Sequence, residues 1–245
     1  MQIKVVTSLL FSAIFSGLAT AVPANVPYQD CVEIGNITAV QVSQFAPGTS
    51  MCTESNTECS TAETAATALN DAFYAYSLTT LCQKAGLIAY MAYESADFAY
   101  NINIYPPPGR PGQGTKCMLM FPHLYNFALS FPELKPQVLN LSPPEAQTAG
   151  VTFSNYESLF PDDTCNQIRE LVLPDKYAFK CAAWFVTSYL EVTCDKTTLN
   201  NGMDGFVQTM ESPCFGVDVT PDRQSKYCTT MMALLPSYMD SPPGC

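Results

Sequence analysis

The sequence predicts a mainly α domain that is stapled by disulfides and contains at most a small β-hairpin. Three observations favour this fold class. Apolar residues recur at helical spacing behind N-capping patterns. Eleven cysteines follow a leader of the export type. The hydrophobic fraction of 47% is enough for one core.

The N-terminus has the pattern of an export signal. Lys4 precedes an apolar run, Val5–Gly17, and Ala19-Thr20-Ala21 is a small-x-small cleavage site. The run is too short for a spanning helix, and the C-terminal Ser-Pro-Pro-Gly-Cys is not an anchor tail. We therefore expect a signal peptide over 1–21 and one secreted, extracellular domain over 22–245.

All eleven cysteines lie after this leader, and in an exported chain they are expected to form disulfides. Five bridges leave one cysteine over. Cys245, the last residue, is the natural candidate for a free thiol, although it could equally be paired. There is no Cys-x-x-Cys pair, and His123 is the only histidine, which disfavours structural zinc. We expect neither a metal nor another cofactor.

The charge narrows the range of partners. The formal net charge is −11, and it becomes −12 when Lys4 leaves with the leader. Nucleic acids and anionic membranes require a basic face, so we expect neither as a partner. A neutral or cationic partner suits this charge better than an anionic one does. We expect a monomer.

The first part of the chain predicts one strand and one helix. Ile37–Val42 has the composition of a short strand, and Asn36-Ile37-Thr38 is a glycosylation sequon that indicates a surface position. Ser60-Thr61-Ala62-Glu63 matches a capping box. Apolar residues then follow at helical spacing from Ala62 to Tyr76, which predicts an amphipathic helix.

A second helix is predicted next; either a polar break at Ser77–Thr80 separates it from the first, or the two run on. The second helix carries the same apolar spacing from Leu78 and ends at Glu94. Toward its C-terminal end nearly every position is apolar, which is typical of a buried helix. Glu94 is therefore expected at the end of a core helix rather than on a solvated face.

The remaining chain predicts one irregular loop and several helices. Tyr105–Gly114 contains four prolines and three glycines and cannot be helical. Pro174–Val192, which holds the only tryptophan, is predicted to be a second central helix. Asn140-Leu141-Ser142 is a second sequon. Further helices are expected over 123–129, from Ser142-Pro143-Pro144-Glu145, and over 166–172, 200–210 and 222–235. Helix-start caps are expected at Asp162, Asp163, Asp218 and Asp222.

Glu94 is the candidate catalytic residue. A glycosidic bond is cleaved by delivering a proton to its leaving oxygen, usually from a carboxylic acid in apolar surroundings. Most such enzymes use two carboxylates, but between Phe98 and Phe131 there is no Asp or Glu, and only Asp97 lies nearby. A single acid can act on a sugar whose own 2-acetamido oxygen attacks the anomeric carbon. The pattern therefore predicts a glycan of N-acetylhexosamine; chitosan would need a second carboxylate such as Asp97.

Three motifs follow one another in this region: Glu94-Ser95, then Gly112-Gln113-Gly114-Thr115, then the apolar run 118–122. This order resembles the core of the lysozyme-like superfamily, nearest the soluble lytic transglycosylases and goose-type lysozymes. The resemblance implies a lysozyme-like helical fold and a glycoside hydrolase or lytic transglycosylase, with Glu94 as its acid/base. It implies β-1,4-linked N-acetylglucosamine polysaccharide, chitin-like or peptidoglycan, as substrate. The implied substrate-binding residues are Ser95, Gln113, Tyr90 and Tyr105.

Other interpretations remain open. A glutamate at a helix C-terminus is unfavourable against the macrodipole, so a structural Glu94 would pair with a cation such as Arg110 or Lys116. His123 is expected to be structural, because no Gly-x-Ser-x-Gly turn accompanies it. The alternative function is a non-catalytic secreted glycan-binding or host-interaction protein on the same scaffold. The later segment Cys181–Cys228 also resembles uncharacterised secreted fungal proteins.

Overall fold

The computed structural model describes residues 31–53, 55–189, 194–235 and 245. The predicted signal peptide lies outside these residues. Over the described ranges the chain is mainly α-helical, as predicted, with twelve α-helices and two short 3-10 helices. The α-helices are α1 Ala39–Phe45, α2 Ala62–Ala75, α3 Leu81–Glu94, α4 Phe121–Leu129, α5 Lys135–Leu141, α6 Pro144–Ala149, α7 Tyr156–Leu159, α8 Asp162–Glu170, α9 Asp175–Ala178, α10 Cys181–Ser188, α11 Gly202–Glu211 and α12 Pro221–Leu234. The 3-10 helices are Pro47–Met51 and Thr198–Asn201.

The strand predicted over Ile37–Val42 is wrong, because this segment forms α1. Thr38 caps the helix: its hydroxyl accepts from the Gln41 backbone N–H, and the Gln41 side chain accepts from the Thr38 N–H. This reciprocal capping box satisfies two backbone donors that would otherwise lack partners at the helix start. It outweighs the strand preference of the β-branched residues in the segment.

Helices α2 and α3 form where the apolar spacing predicts them. The N-cap of α2 is Thr61, one residue later than the predicted box; Ser60 instead donates to Oδ1 of Asp175 at 2.8 Å. The break at Ser77–Thr80 is confirmed. Thr80 and Gln83 form a capping box that starts α3, so the polar break supplies the start of the next helix.

Helix α3 is the central element of the described chain. Its residues from Leu81 through Ala92 are all buried, as its apolar composition predicts. It packs most extensively against α12, and α10 contacts it as well. Helix α1 bridges α2 and α12, so elements distant in sequence enclose α3.

The second central helix predicted over Pro174–Val192 is interrupted. Helices α9 and α10 flank a break at Phe179–Lys180. There the Lys180 N–H donates to the Tyr177 carbonyl in a tight turn. Residues 190–193 lie outside the described part. Trp184 is buried in α10 and contacts the rings of Phe127 and Tyr189, so this segment remains a core element.

The helix predicted over 222–235 is confirmed as α12, with Thr220 as N-cap and Pro221 in the first turn. The sequence predicts at most a small β-hairpin. In the described chain the β-structure consists of isolated bridges. Gly114 pairs with both Ile102 and Leu119. These bridges fasten the irregular loop after α3 to the segment that leads into α4.

Five disulfides join described residues: Cys31–Cys82, Cys52–Cys59, Cys117–Cys181, Cys194–Cys214 and Cys228–Cys245. The free cysteine is Cys165, which is buried. The prediction that Cys245 carries the free thiol is therefore wrong, because Cys245 is bonded to Cys228 of α12. No helix in the described ranges combines the length and the apolar character required to cross a membrane.

Candidate functional site

The end of α3 leaves Glu94 partly buried. Ser95 is the C-cap, and Ala96, Asp97 and Phe98 follow with positive φ angles of 49°, 57° and 66°. The buried Ser95 hydroxyl donates to the Met91 carbonyl at 2.6 Å and accepts from the Phe98 N–H at 3.1 Å. The chain thus turns sharply away from the helix and leaves the Glu94 side chain 19% exposed.

Glu94 lies where two pockets meet. One has a volume of about 290 Å³ and the other about 310 Å³. Glu94, Gln113 and Met118 line both pockets, which therefore form two arms of one groove. Among the described residues that line the groove, Glu94 is the only carboxylate. We call the pocket of about 290 Å³ the amide arm and the pocket of about 310 Å³ the aromatic arm.

The amide arm is lined by tyrosines, isoleucines and side-chain amides: Tyr100, Ile102, Asn103, Ile104, Tyr105 and Gln113. The Asn103 amide donates to Oε1 of Gln113 at 2.6 Å, and the Gln113 amide donates to the Met118 carbonyl at 2.9 Å. These bonds fix both amides while each keeps further bonding capacity for a ligand. The Tyr105 ring is 78% exposed at the edge of the arm.

The aromatic arm is built from rings that contact one another. Phe215 packs on Tyr90, with ring centroids 4.4 Å apart, and stacks on Phe185 at 5.1 Å. His123 meets the ring of Phe153 edge-on at 4.8 Å, and its Nδ1 lies 3.0 Å from the Tyr189 hydroxyl. Such an arm offers apolar ring surface with one imidazole, in contrast to the amides on the other side of Glu94.

The turn that carries Gln113 depends on a glycine beside it. Gly112 has a φ of +71°, and a Cβ there would lie 2.3 Å from Cδ2 of Phe121. Only glycine fits both this backbone conformation and this spacing. Its N–H donates to Oδ1 of Asn166 at 2.9 Å. The Gly-Gln-Gly sequence therefore lets the backbone pass close to α4 and α8 while Gln113 faces the groove.

Arg223 of α12 is the cationic partner of Glu94. Its Nη2 lies 2.5 Å from Oε1 of Glu94, and its guanidinium sits over the Tyr93 ring at 4.1 Å from the centroid. The expectation that Arg110 or Lys116 would be the partner is wrong. Arg110 contacts Sδ of Met120 at 3.5 Å, and Lys116 is buried elsewhere.

A second ion pair lies one turn along the same interface. Nζ of Lys226 lies 2.6 Å from Oδ1 of Asp97, and Oδ2 of Asp97 accepts from the Gly48 N–H at 3.3 Å. Arg223 and Lys226 are three residues apart on α12, as Glu94 and Asp97 are on the opposing segment. Asp97 lines neither arm of the groove, so its carboxylate is used in packing.

The structure brings four of the five sequence-predicted site residues to the groove. Glu94 and Gln113 lie at the junction, Tyr105 in the amide arm and Tyr90 in the aromatic arm. The Tyr90 hydroxyl donates to the Cys117 carbonyl at 3.1 Å, and burial raises its pKa. Ser95 lies outside the groove and reaches Glu94 only through the backbone turn.

Sequence reasoning missed Arg223, Asn103 and the ring wall of Phe153 and Phe215. The matching three-residue spacing of Arg223–Lys226 and Glu94–Asp97 is a signal that could have suggested an ion-pair ladder. The phenylalanines lie on turns without a motif and carry no such signal. Within the part of the chain that the structure describes, no group of three or more His, Cys, Asp or Glu side chains is arranged to hold a metal ion.

Comparison with known proteins finds one distant partial relative. A bifunctional dioxygenase (DOX)-epoxy alcohol synthase (EAS) of Fusarium oxysporum (strain Fo5176) is 29% identical over 149 residues, which is 61% of this chain and 10% of the relative. The match thus spans about one tenth of the relative's length. No family model matches the chain, and no solved structure matches it.

Proposed function

We propose that this chain is a secreted protein that binds β-1,4-linked N-acetylglucosamine polysaccharide in the groove and cleaves it with Glu94 as its single general acid/base. The observation that carries this proposal is the position of Glu94, the one carboxylate among the described groove-lining residues, at the junction of two arms. A polymer lying along both arms would pass its backbone over this residue. Five disulfides support the secreted half of the proposal.

The amide arm has the chemistry that a neutral sugar requires. Sugar hydroxyls need fixed donors and acceptors, which Asn103 and Gln113 offer, and the apolar face of a sugar ring can lie on Tyr105. Ligand sites commonly combine a mostly apolar wall with a few placed polar groups. The lysozyme-like resemblance of the Glu94–Gln113 segment adds to this proposal.

The cleavage step uses one protein carboxyl twice. Protonated Glu94 gives its proton to the glycosidic oxygen while the anomeric carbon–oxygen bond breaks and the sugar's 2-acetamido oxygen takes its place on that carbon. The resulting carboxylate then accepts a proton from the water that opens the cyclic intermediate. One water is consumed for each bond cleaved, and Glu94 returns to its protonated form.

Binding without cleavage is the second candidate, and the Arg223 contact favours it. A carboxylate that accepts from a guanidinium at 2.5 Å must exchange this partner for a proton before it can act as an acid. If Arg223 holds Glu94 throughout, the groove binds glycan and leaves it intact. This protein would then be the non-catalytic glycan-binding or host-interaction protein.

The test compares wild type with Glu94→Gln on chitin oligomers, chitosan and peptidoglycan. Binding is measured by calorimetry and cleavage by the release of reducing ends or anhydro products. We expect wild type to cleave chitin oligomers and Glu94→Gln to lose about 10²–10⁴-fold in rate while still binding them. Asp97→Asn is the matched control, because it removes a neighbouring paired carboxylate outside the groove.

The outcomes separate the two candidates. Cleavage retained in Glu94→Gln would sink the acid/base assignment. Oligomer binding without cleavage in wild type would select the binding protein. Absence of both binding and cleavage with all three polymers contradicts the glycan proposal as a whole.

A further inference from the structure

A third cavity lies beside the predicted glycosylation site and shares no residue with the Glu94 groove. It has a volume of about 360 Å³ and lies between the segment that leads into α1 and the end of α2. Asn36, the acceptor of the first sequon, is exposed and lines this cavity. A sugar attached to Asn36 would therefore start at the cavity wall.

The backbone on both sides of Asn36 is fixed by side chains. Nζ of the buried Lys84 donates to the carbonyls of Ile34 and Gly35 at 2.9 and 3.0 Å. The Asn70 amide bonds both the N–H and the carbonyl of Ile37 at 2.8 Å. Clamps before and after the residue hold Asn36 in one place relative to the cavity, so an attached sugar loses less conformational freedom when it settles there.

The cavity walls have sugar-binding chemistry. Tyr74 is 90% exposed, the highest value among the exposed large hydrophobic residues of the described chain. It lines the cavity together with Glu33, Thr79 and Asn70. The uncovered ring offers an apolar surface, and the Glu33 carboxylate, which accepts from the Thr79 hydroxyl at 3.0 Å, keeps further acceptor capacity for a sugar hydroxyl.

We propose that the first N-acetylglucosamine of an N-linked glycan on Asn36 occupies this cavity and covers Tyr74. The sugar ring replaces water on the tyrosine face and bonds the polar wall. The glycan would thereby act as a packed part of the fold and stabilise the junction between α1 and α2. Glycosylation at this sequon and the occupied cavity are independent of whether the Glu94 groove binds a polysaccharide.

The second sequon offers a contrast within the same chain. Asn140 is exposed on α5 but lines neither this cavity nor the groove. Its sequon residue Ser142 is buried, donates to the Val138 carbonyl at 2.6 Å and lies 3.0 Å from the Tyr125 hydroxyl. Asn140→Gln is therefore the matched control for Asn36→Gln.

The test uses the full chain secreted from a yeast host. Mass spectrometry before and after an endoglycosidase that leaves one N-acetylglucosamine on asparagine shows which sequon is occupied. We expect a glycan on Asn36 and an unchanged Tm after trimming, because the first sugar stays in place. Asn36→Gln should lower Tm by about 2–4 °C, whereas Asn140→Gln should leave it unchanged. Asn36→Gln keeps Thr38, the N-cap of α1, so the helix start is preserved.

A second variant separates the cavity from glycosylation in general. Tyr74→Ala retains the sequon and removes only an exposed ring. In this background we expect Asn36→Gln to change Tm by less than about 1 °C, because the covered surface is gone. An unmodified Asn36 overturns the proposal. So does an occupied Asn36 whose removal leaves Tm unchanged, because the attached sugar then contributes nothing to packing.

Discussion

Charged side chains are accommodated differently at the interface between α3 and α12, which we call the seam, and at the buried site of Lys116. In the seam, Glu94 and Asp97 meet Arg223 and Lys226, and all four side chains are between 12% and 21% exposed. Lys116 is fully buried and forms no ion pair with any residue that the structure describes. Its Nζ donates to the carbonyls of Glu58 and Phe98 at 2.8 and 2.9 Å.

This difference in exposure suggests that the seam belongs to the functional site and that Lys116 has a structural role. Ion pairs near water can open and re-form, because solvent compensates each charge and salt screens the attraction. A buried ammonium that donates to carbonyl oxygens cannot exchange them for water. Breaking these hydrogen bonds would leave a buried charge without a partner. The seam can therefore present Glu94 to a ligand, while Lys116 fixes the loop on which Gln113 and Tyr105 are carried.

The largest expected effect is on stability, at Lys116. Lys116→Met keeps the chain length of the side chain but leaves the Glu58 carbonyl without its donor. We expect a loss of about 1–3 kcal/mol in the free energy of unfolding, measured by urea titration. The control is Lys176→Met, an exposed lysine over the Tyr177 ring, which should change stability by less than about 0.5 kcal/mol. Equal effects would contradict the structural role of Lys116.

The next effect is a dependence of stability on pH. Burial lowers the pKa of Lys116 to about 8 from the ordinary lysine value of 10.5. Between these values the unfolded chain binds more protons than the folded one, so stability should rise with pH and fall as pH drops through about 8. From pH 7 to 9.5 we expect a gain of about 2 kcal/mol in wild type relative to Lys116→Met. A parallel pair of stability curves would show that Lys116 titrates normally.

The smallest effect is expected in the seam. A double-mutant cycle on Glu94→Gln and Arg223→Met should give a coupling energy of about 1 kcal/mol or less, and the cycle on Asp97→Asn and Lys226→Met a similar value. Both couplings should shrink when salt is raised from 0.05 M to about 1 M. A coupling that exceeds the Lys116 effect, or resists salt, would reverse the comparison between seam and scaffold.

The sequence predicted the elements whose signals are local. The apolar spacing of α2 and α3, the polar break at Ser77–Thr80 and the Thr220-Pro221 start of α12 all act within a few residues. The prediction for α1 failed because the Thr38–Gln41 capping box, also a local signal, outweighs the strand preference of the β-branched residues. The interrupted 174–192 segment shows that apolar composition does not determine where helical hydrogen bonds lapse.

Part of the groove was predictable because some of its residues lie close together in sequence. Glu94 and Gln113 are 19 positions apart, and their segment carries its own motifs. Arg223 reaches Glu94 from 129 positions away, and its contact depends on how α12 packs on α3. The pairing of Cys245 with Cys228 likewise depends on where the chain end lies in space, which no spacing rule gives.

The buried Cys165 has a consequence for disulfide exchange. A free thiolate can attack a neighbouring disulfide and shuffle the pairing. Burial raises the pKa of Cys165 to about 12, so its thiol stays protonated, and it lies close beneath Gly112. During oxidative folding the Cys165 thiol can form a disulfide with any other cysteine. It becomes unreactive once folding has buried it. Folding thus removes the one internal reagent that could rearrange the five bridges.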